Sequence, residues 1–140
     1  MAVPEEPPQL VTTRRYLMDV STGKLDEGME LLAPDVTYTV PGTSPLAGTF
    51  HGREEVHSHL ATLLRVSHGT FEILKWVDFM VGLSHVSALQ YVQAQGGGVV
   101  YRGYTLYLVE SDRNGLLSSI RVFFQEQHEA DRFFTQIAEA

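Results

Sequence analysis

Four side chains stand out as able to move a proton or hold a developing negative charge: Tyr16, Tyr38, His59 and Asp78. The Tyr16 hydroxyl could donate a hydrogen bond to an oxyanion. Its competing role is that of a core tyrosine satisfied at a helix–sheet seam. Tyr38 shares a strand face with Val36 and Val40. It could position a substrate or act as an acid, or simply pack as an aromatic ring. His59 comes three residues after Val56 and four before Leu63, so it can reach the buried side of a helix. Histidine is the usual acid–base side chain near neutral pH, and the alternative is a half-buried ring with a structural hydrogen bond. Asp78 lies at even spacing with Glu72, Leu74, Trp76 and Met80. If that face looks inward, Asp78 is a buried carboxylate with a raised pKa, suited to general-base work. The opposite face, Phe71, Ile73, Val77 and Phe79, is more uniformly apolar apart from Lys75. It is the preferred inward face, and it leaves both acids in water.

Other chemistry is excluded or unsupported. The chain has no cysteine, so it has no disulfide, thiolate metal site or cysteine nucleophile. His57 and His59 are two apart and point to different sides of a helix, so no metal site is expected there. No Ser–His–Asp spacing stands out. Gly96-Gly97-Gly98 has no Walker or dinucleotide pattern around it, so no nucleotide cofactor is expected. The net charge of −7 (Lys+Arg 10, Asp+Glu 17) argues against nucleic acid as a partner. No apolar run approaches the ~18 residues of a membrane span. The opening MAVPEEPPQL lacks a signal-peptide pattern. A cytoplasmic protein is expected.

These side chains need elements to hold them. Residues 1–8 read as a loose tail and residues 9–140 as one domain; 140 residues suffice for a sizeable core. Leu10, Thr13, Leu17 and Val20 fall at helical spacing with Tyr16 beside them, and Gly23 ends that helix. Leu25, Met29 and Leu32 mark a second helix that Ala33-Pro34 stops. Val36–Val40 alternates as a half-buried strand. Pro41 to Gly52 reads as a constrained loop. Arg53–Val66 is a helix with Val56, Leu60, Leu63 and Leu64 inward and Gly69 as its C-cap. Strands follow at 71–80, 83–94, 99–110 and 116–124, the last pair joined by a hairpin at Asn114-Gly115. A closing helix spans about 129–138 with Ala130, Phe133, Phe134 and Ile137 inward. Strands joined by tight turns form an antiparallel sheet. With three helices on one face, such a sheet curls into a cone. Tyr107, on the face of Tyr101, Gly103 and Thr105, is expected inside it.

This order, with LLAPDVTYTVPG and then FHGREEVHSHLATLL, resembles the nuclear transport factor 2 superfold, and more narrowly its SnoaL-like and ketosteroid-isomerase-like families. The resemblance spans roughly Leu10 to Ile137. It implies an α+β fold: a cone-shaped, curved antiparallel sheet covered on one face by three helices. It places Tyr16 where ketosteroid isomerases carry their oxyanion tyrosine. Their general base falls at Val40, which cannot take a proton, and their second acid near Thr105. Many SnoaL-like sequences carry an Asp-Gln pair after the last strand. Here the segment reads Glu126-Gln127, followed by Asp131 and Phe133-Phe134, so Glu126 retains a rim carboxylate by type. The Asp-Arg-Asp set of limonene epoxide hydrolases has no match around Arg102. In this fold the outer sheet face commonly packs on a second subunit, and a homodimer is expected.

The resulting expectation is a small, cofactor-independent enzyme. It binds an apolar, polyketide- or terpenoid-like metabolite and catalyses an acid–base step such as cyclisation, isomerisation, dehydration or epoxide opening. Tyr16 would polarise an oxygen, and His59, Glu126 or an inward Asp78 would move the proton. Tyr38, Val40, Trp76, Tyr107, Val122 and Phe124 would line the site. The alternative is a non-catalytic binding protein or accessory subunit on the same scaffold.

Overall fold

The computed structural model describes residues 6–139. Much of the expected N-terminal tail lies outside the described residues, and Pro8 already belongs to the first helix. Proline is well placed there, because the first helical N–H has no partner to lose. Helix α1 runs Pro8–Ser21 and α2 runs Leu25–Met29. Strands β1 (Leu32–Val40) and β2 (Gly48–His51) lead into helix α3 (Gly52–Val66). Strands β3 (Glu72–Val81), β4 (His85–Gly96), β5 (Val99–Ser111) and β6 (Leu117–Phe124) precede helix α4 (Gln127–Glu139).

The six strands form one sheet in the order β2-β1-β6-β5-β4-β3. Neighbours pair antiparallel except β1 with β6, which run parallel. Hairpin turns join β3 to β4, β4 to β5 and β5 to β6, as tight connections require. Between β4 and β5 the turn is Gly97-Gly98, both at positive φ (+54° and +78°). That backbone suits a two-residue hairpin and disfavours any residue with a Cβ.

Two features depart from the sequence expectation. Leu32 starts a strand where it was expected to end a helix. Pro34 is tolerated because β1 and β6 pair at Leu32–Leu117 and only resume at Thr37–Ser119. The missing N–H falls in that irregular stretch. The segment Gly48–His51, expected as loop, is strand β2, paired with Thr37–Val40. It is too short to show a periodicity of its own. Arg53 fastens α3 to this corner, its Nε and Nη2 donating to the Leu32 carbonyl at 2.8 and 2.5 Å.

Helix α1 packs on β3 and β4, α3 on β1 and β2, and α2 bridges α1 and α3. One core lies beneath these three helices and is built from Tyr16, Leu17, Val36, Val56, Val109 and Ile120, among others. A second gathers Leu46, Val92, Tyr101, Ala130, Phe133 and Ile137 under α4. Phe124 touches both. None of the described helices is long and apolar enough to cross a membrane.

Candidate functional site

In an antiparallel pair, directly opposite residues point to the same face. On β4, Val86, Ala88, Gln90, Val92 and Ala94 are buried and point inward. Their partners on β5 are Val109, Tyr107, Thr105, Gly103 and Tyr101, all buried. Strand β6 continues the inner face with Ile120, Val122 and Phe124, and β1 with Val36, Tyr38 and Val40.

Strand β3 follows neither simple alternation. Its pairing with β4 shifts between Ile73 and Lys75 and again between Trp76 and Asp78. Two bulges therefore reset which side chain faces in. Ile73, Trp76 and Phe79 stand opposite the inward Val92, Gln90 and Ala88. Glu72, Lys75 and Asp78 stand opposite the outward Gln93, Tyr91 and Leu89.

The cone encloses two adjoining chambers. The larger, about 590 Å³ with open solvent counted in, is lined by residues of β1, β4, β5 and β6, by His59, Leu63 and Ser67 of the α3 region, by Phe71, and by Leu46 and Phe134. The smaller, about 430 Å³, lies under α1, with Tyr16, Leu17 and Val20 on its wall. Tyr38, Leu63, Phe71 and Tyr107 belong to both and divide them. No lysine, arginine or carboxylate lines either chamber among the described residues.

His59 is 7% exposed, and its ring is held by other rings. It stacks on Phe50 at 4.2 Å between centroids and lies 5.6 Å from the tilted ring of Tyr38. Burial lowers its pKa to about 4, because the cationic form loses its hydration. At neutral pH it is a neutral imidazole with a free lone pair. The three tyrosines behave in the opposite sense. Burial holds the phenols of Tyr16, Tyr38 and Tyr107 above the ordinary tyrosine range. Neighbouring phenols add to the shift: Tyr107 acts on Tyr16, and both act on Tyr38. All three stay protonated donors across the working range. The Tyr16 hydroxyl is buried with no hydrogen-bond partner among the described residues.

The rim is clasped. Asp131 on α4 accepts hydrogen bonds from Thr43 N at 3.1 Å, Thr43 Oγ1 at 3.4 Å and Gln127 Nε2 at 3.1 Å. Gln127 Nε2 also donates to the Pro41 carbonyl at 3.3 Å. Gly42 makes this close approach possible: its φ is +108°, and a Cβ there would overlap Asp131 Oδ1. The segments it joins carry Leu46 and Phe134, which both line the larger chamber.

A profile of the SnoaL-like domain matches residues 13–118. The chain belongs to the SnoaL-like domain family. Solved structures agree with this fold. A Xanthomonas campestris protein of unknown function with a cystatin-like fold is 25% identical, with a TM-score of 0.83 over 90% of this chain and 97% of that one. A nuclear transport factor 2-like protein from Burkholderia pseudomallei is 20% identical, with a TM-score of 0.80 over 93% and 99%. RV0760c from Mycobacterium tuberculosis in complex with estradiol-17beta-hemisuccinate is 14% identical, with a TM-score of 0.71 over 84% and 94%. No curated protein matches the chain.

Within this SnoaL-like cone the expected site residues separate. Tyr38, Val40, His59, Tyr107, Val122 and Phe124 meet on the wall of the larger chamber. Tyr16 faces the smaller one, across the Tyr38–Tyr107 divide from His59. Asp78 is outside the cone: the second β3 bulge turns it to the outer face, where its Oδ1 accepts from Phe79 N at 2.8 Å. Trp76 does point inward, but it packs at the sheet edge, stacked on Phe79 at 5.5 Å, and lines neither chamber. Glu126 is exposed at the β6–α4 bend, where its carbonyl accepts from Ala130 N at 3.0 Å. Three further residues belong to the site or its edge: Phe50, which braces His59, Thr105 on the chamber wall, and the buried Gln90. Gln90 was legible as the single polar residue in the run Val86, Ala88, Gln90, Val92, Ala94.

Proposed function

We propose that this SnoaL-like chain binds a neutral, apolar, ring-sized molecule in the cone and performs a cofactor-independent acid–base step on it. The observation that carries this reading is His59, a neutral imidazole on an apolar wall beside tyrosines that stay protonated. The step that suits it is enolisation. The imidazole takes a proton from a carbon next to a carbonyl, the C–H pair shifts toward oxygen, and a phenol donates a hydrogen bond to that oxygen. A base of this modest strength is free at pH 7 and works where the enolate is well held. Isomerisation, cyclisation and dehydration of a polyketide- or terpenoid-like molecule can all begin this way. The uncharged walls favour an uncharged ligand, since a buried ion here would lack a partner. The steroid ester bound by RV0760c supports a ring system as the occupant.

A second reading, a non-catalytic binding protein, is favoured by the lack of any carboxylate on the described chamber walls. A saturated bicyclic ketone, 2-decalone, separates the two. In D2O the wild type should exchange its α-hydrogens faster than buffer does, as followed by mass spectrometry. His59→Gln should return exchange to the buffer rate while the ketone still binds. Binding without exchange in the wild type selects the second reading, and no binding discards both.

The outer sheet face supports the homodimer proposed from the sequence. None of the described helices covers it, and it presents Tyr104 (41% exposed), Phe123 (39%) and the half-buried Leu106 and Leu108. Sedimentation velocity should show a dimer at micromolar concentration. A protein that stays monomeric at higher concentrations refutes this.

A further inference from the structure

Gln90 is the one inward-facing side chain of β4 that the apolar core leaves unexplained. It is 1% exposed, and neither its Nε2 nor its Oε1 has a partner among the described residues. A buried amide left unpaired is costly, so native interiors rarely keep one without a use. Its surroundings suggest one. Thr105 stands directly opposite on β5, Val92 is two residues along, and Tyr107 lies diagonally across. All three are on the wall of the larger chamber. On its other side Gln90 faces Trp76. Gln90 adjoins that wall without lining either chamber, and its side chain has three rotatable bonds with which to turn the amide toward a ligand there.

We propose that Gln90 reads a hydroxyl group on the ligand of the cone, so that the preferred ligands are neutral alicyclic molecules that carry a hydroxyl, beside any carbonyl that reacts at His59. This rests on the cavity-binding reading given above. A primary amide offers one donor group and one acceptor. A hydroxyl answers both, accepting from Nε2 and donating to Oε1, whereas a ketone can only accept. The phenols and the His59 lone pair can also accept from an alcohol, so the share of the preference that belongs to Gln90 is the part lost in Gln90→Leu. Water can take the same place until a ligand displaces it.

The probes are 2-decalol and 2-decalone, which share a skeleton and differ at one oxygen. Each is titrated into the wild type and into Gln90→Leu by calorimetry. The fluorescence of Trp76, the only tryptophan, is a second readout beside Gln90. The wild type should prefer the alcohol by on the order of tenfold, the worth of one to two net hydrogen bonds. In Gln90→Leu the ketone should still bind, and the preference should fall to within about twofold. The melting temperature of Gln90→Leu should be no lower than that of the wild type, because leucine replaces a buried amide without partners. A preference that survives the substitution overturns the assignment, as does a melting temperature lowered by several degrees. If 2-decalone binds and the wild type shows no alcohol preference, the Gln90 assignment alone fails. If neither probe binds, the cavity reading fails with it.

Discussion

The two chambers of the cone are built from the same kinds of residue and differ in what they can do. The larger one has His59, the only titratable group among the described residues of either wall that stands unprotonated at neutral pH. The smaller one has Tyr16, a donor buried without a partner. Tyr38 and Tyr107 face both. Proton acceptor and innermost donor are thus separated by a tyrosine divide. The arrangement suits a ligand that spans the divide, with its reacting carbon beside His59 and an oxygen toward the phenols. A ligand confined to the larger chamber would meet the hydroxyl groups of Tyr38, Ser67, Tyr101, Thr105 and Tyr107 on its described walls, but not that of Tyr16.

The larger chamber can be perturbed most strongly through His59. Its folded pKa of about 4 lies below the unfolded value of about 6.5. Between those values the unfolded chain binds more protons, so stability rises with pH in this window and falls as pH drops through it. The full loss by the acid end is about 3 kcal/mol. Urea unfolding at pH 7, 5.5 and 4 should show that slope in the wild type and a flatter one in His59→Gln. Identical slopes would mean that the imidazole is not held neutral by burial.

A smaller effect on folding, and a sharper one on function, is expected in the other chamber. Tyr16→Phe removes a hydroxyl that has no partner among the described residues, so its unfolding free energy should stay within about 1 kcal/mol of the wild type. If the ligand's oxygen reaches the smaller chamber, the same variant should slow 2-decalone exchange by at least about tenfold. Exchange at the wild-type rate would confine the chemistry to the larger chamber and leave Tyr16 as packing.

Much of this scaffold was legible from residue order alone. The alternation of Val36, Tyr38 and Val40, the spacing of Val56, His59, Leu60 and Leu63, and the Asn114-Gly115 turn each announce an element and its buried face. Strand β2 was not legible, because four residues that begin on Gly48 and stop at Gly52 carry no period, and only pairing with Thr37–Val40 makes them a strand. Asp78 lies in water, as the preferred inward face required, but Trp76, placed with it on the opposite face, turns inward. Both alternations considered for β3 assume a regular pleat, and its two bulges put Trp76 and Phe79 on the same side, three residues apart. Glu126 matched a motif by type, but the bend before α4 leaves it in solvent.

By itself, the sequence determined the order of elements, the acidic cysteine-free character of the chain, and the presence of tyrosines and one histidine on inward faces. Those follow from local periodicity and composition, which need no long-range contact. Which groups meet was decided only by the tertiary structure. Strand pairing chose the inward side of β3, and burial lowered the pKa of His59 and raised those of the phenols. The packing of α1 against the sheet put Tyr16 in a chamber apart from His59. Such outcomes depend on distances between residues far apart in the chain, and on how far each is removed from water, and neither is set by spacing along one strand or helix.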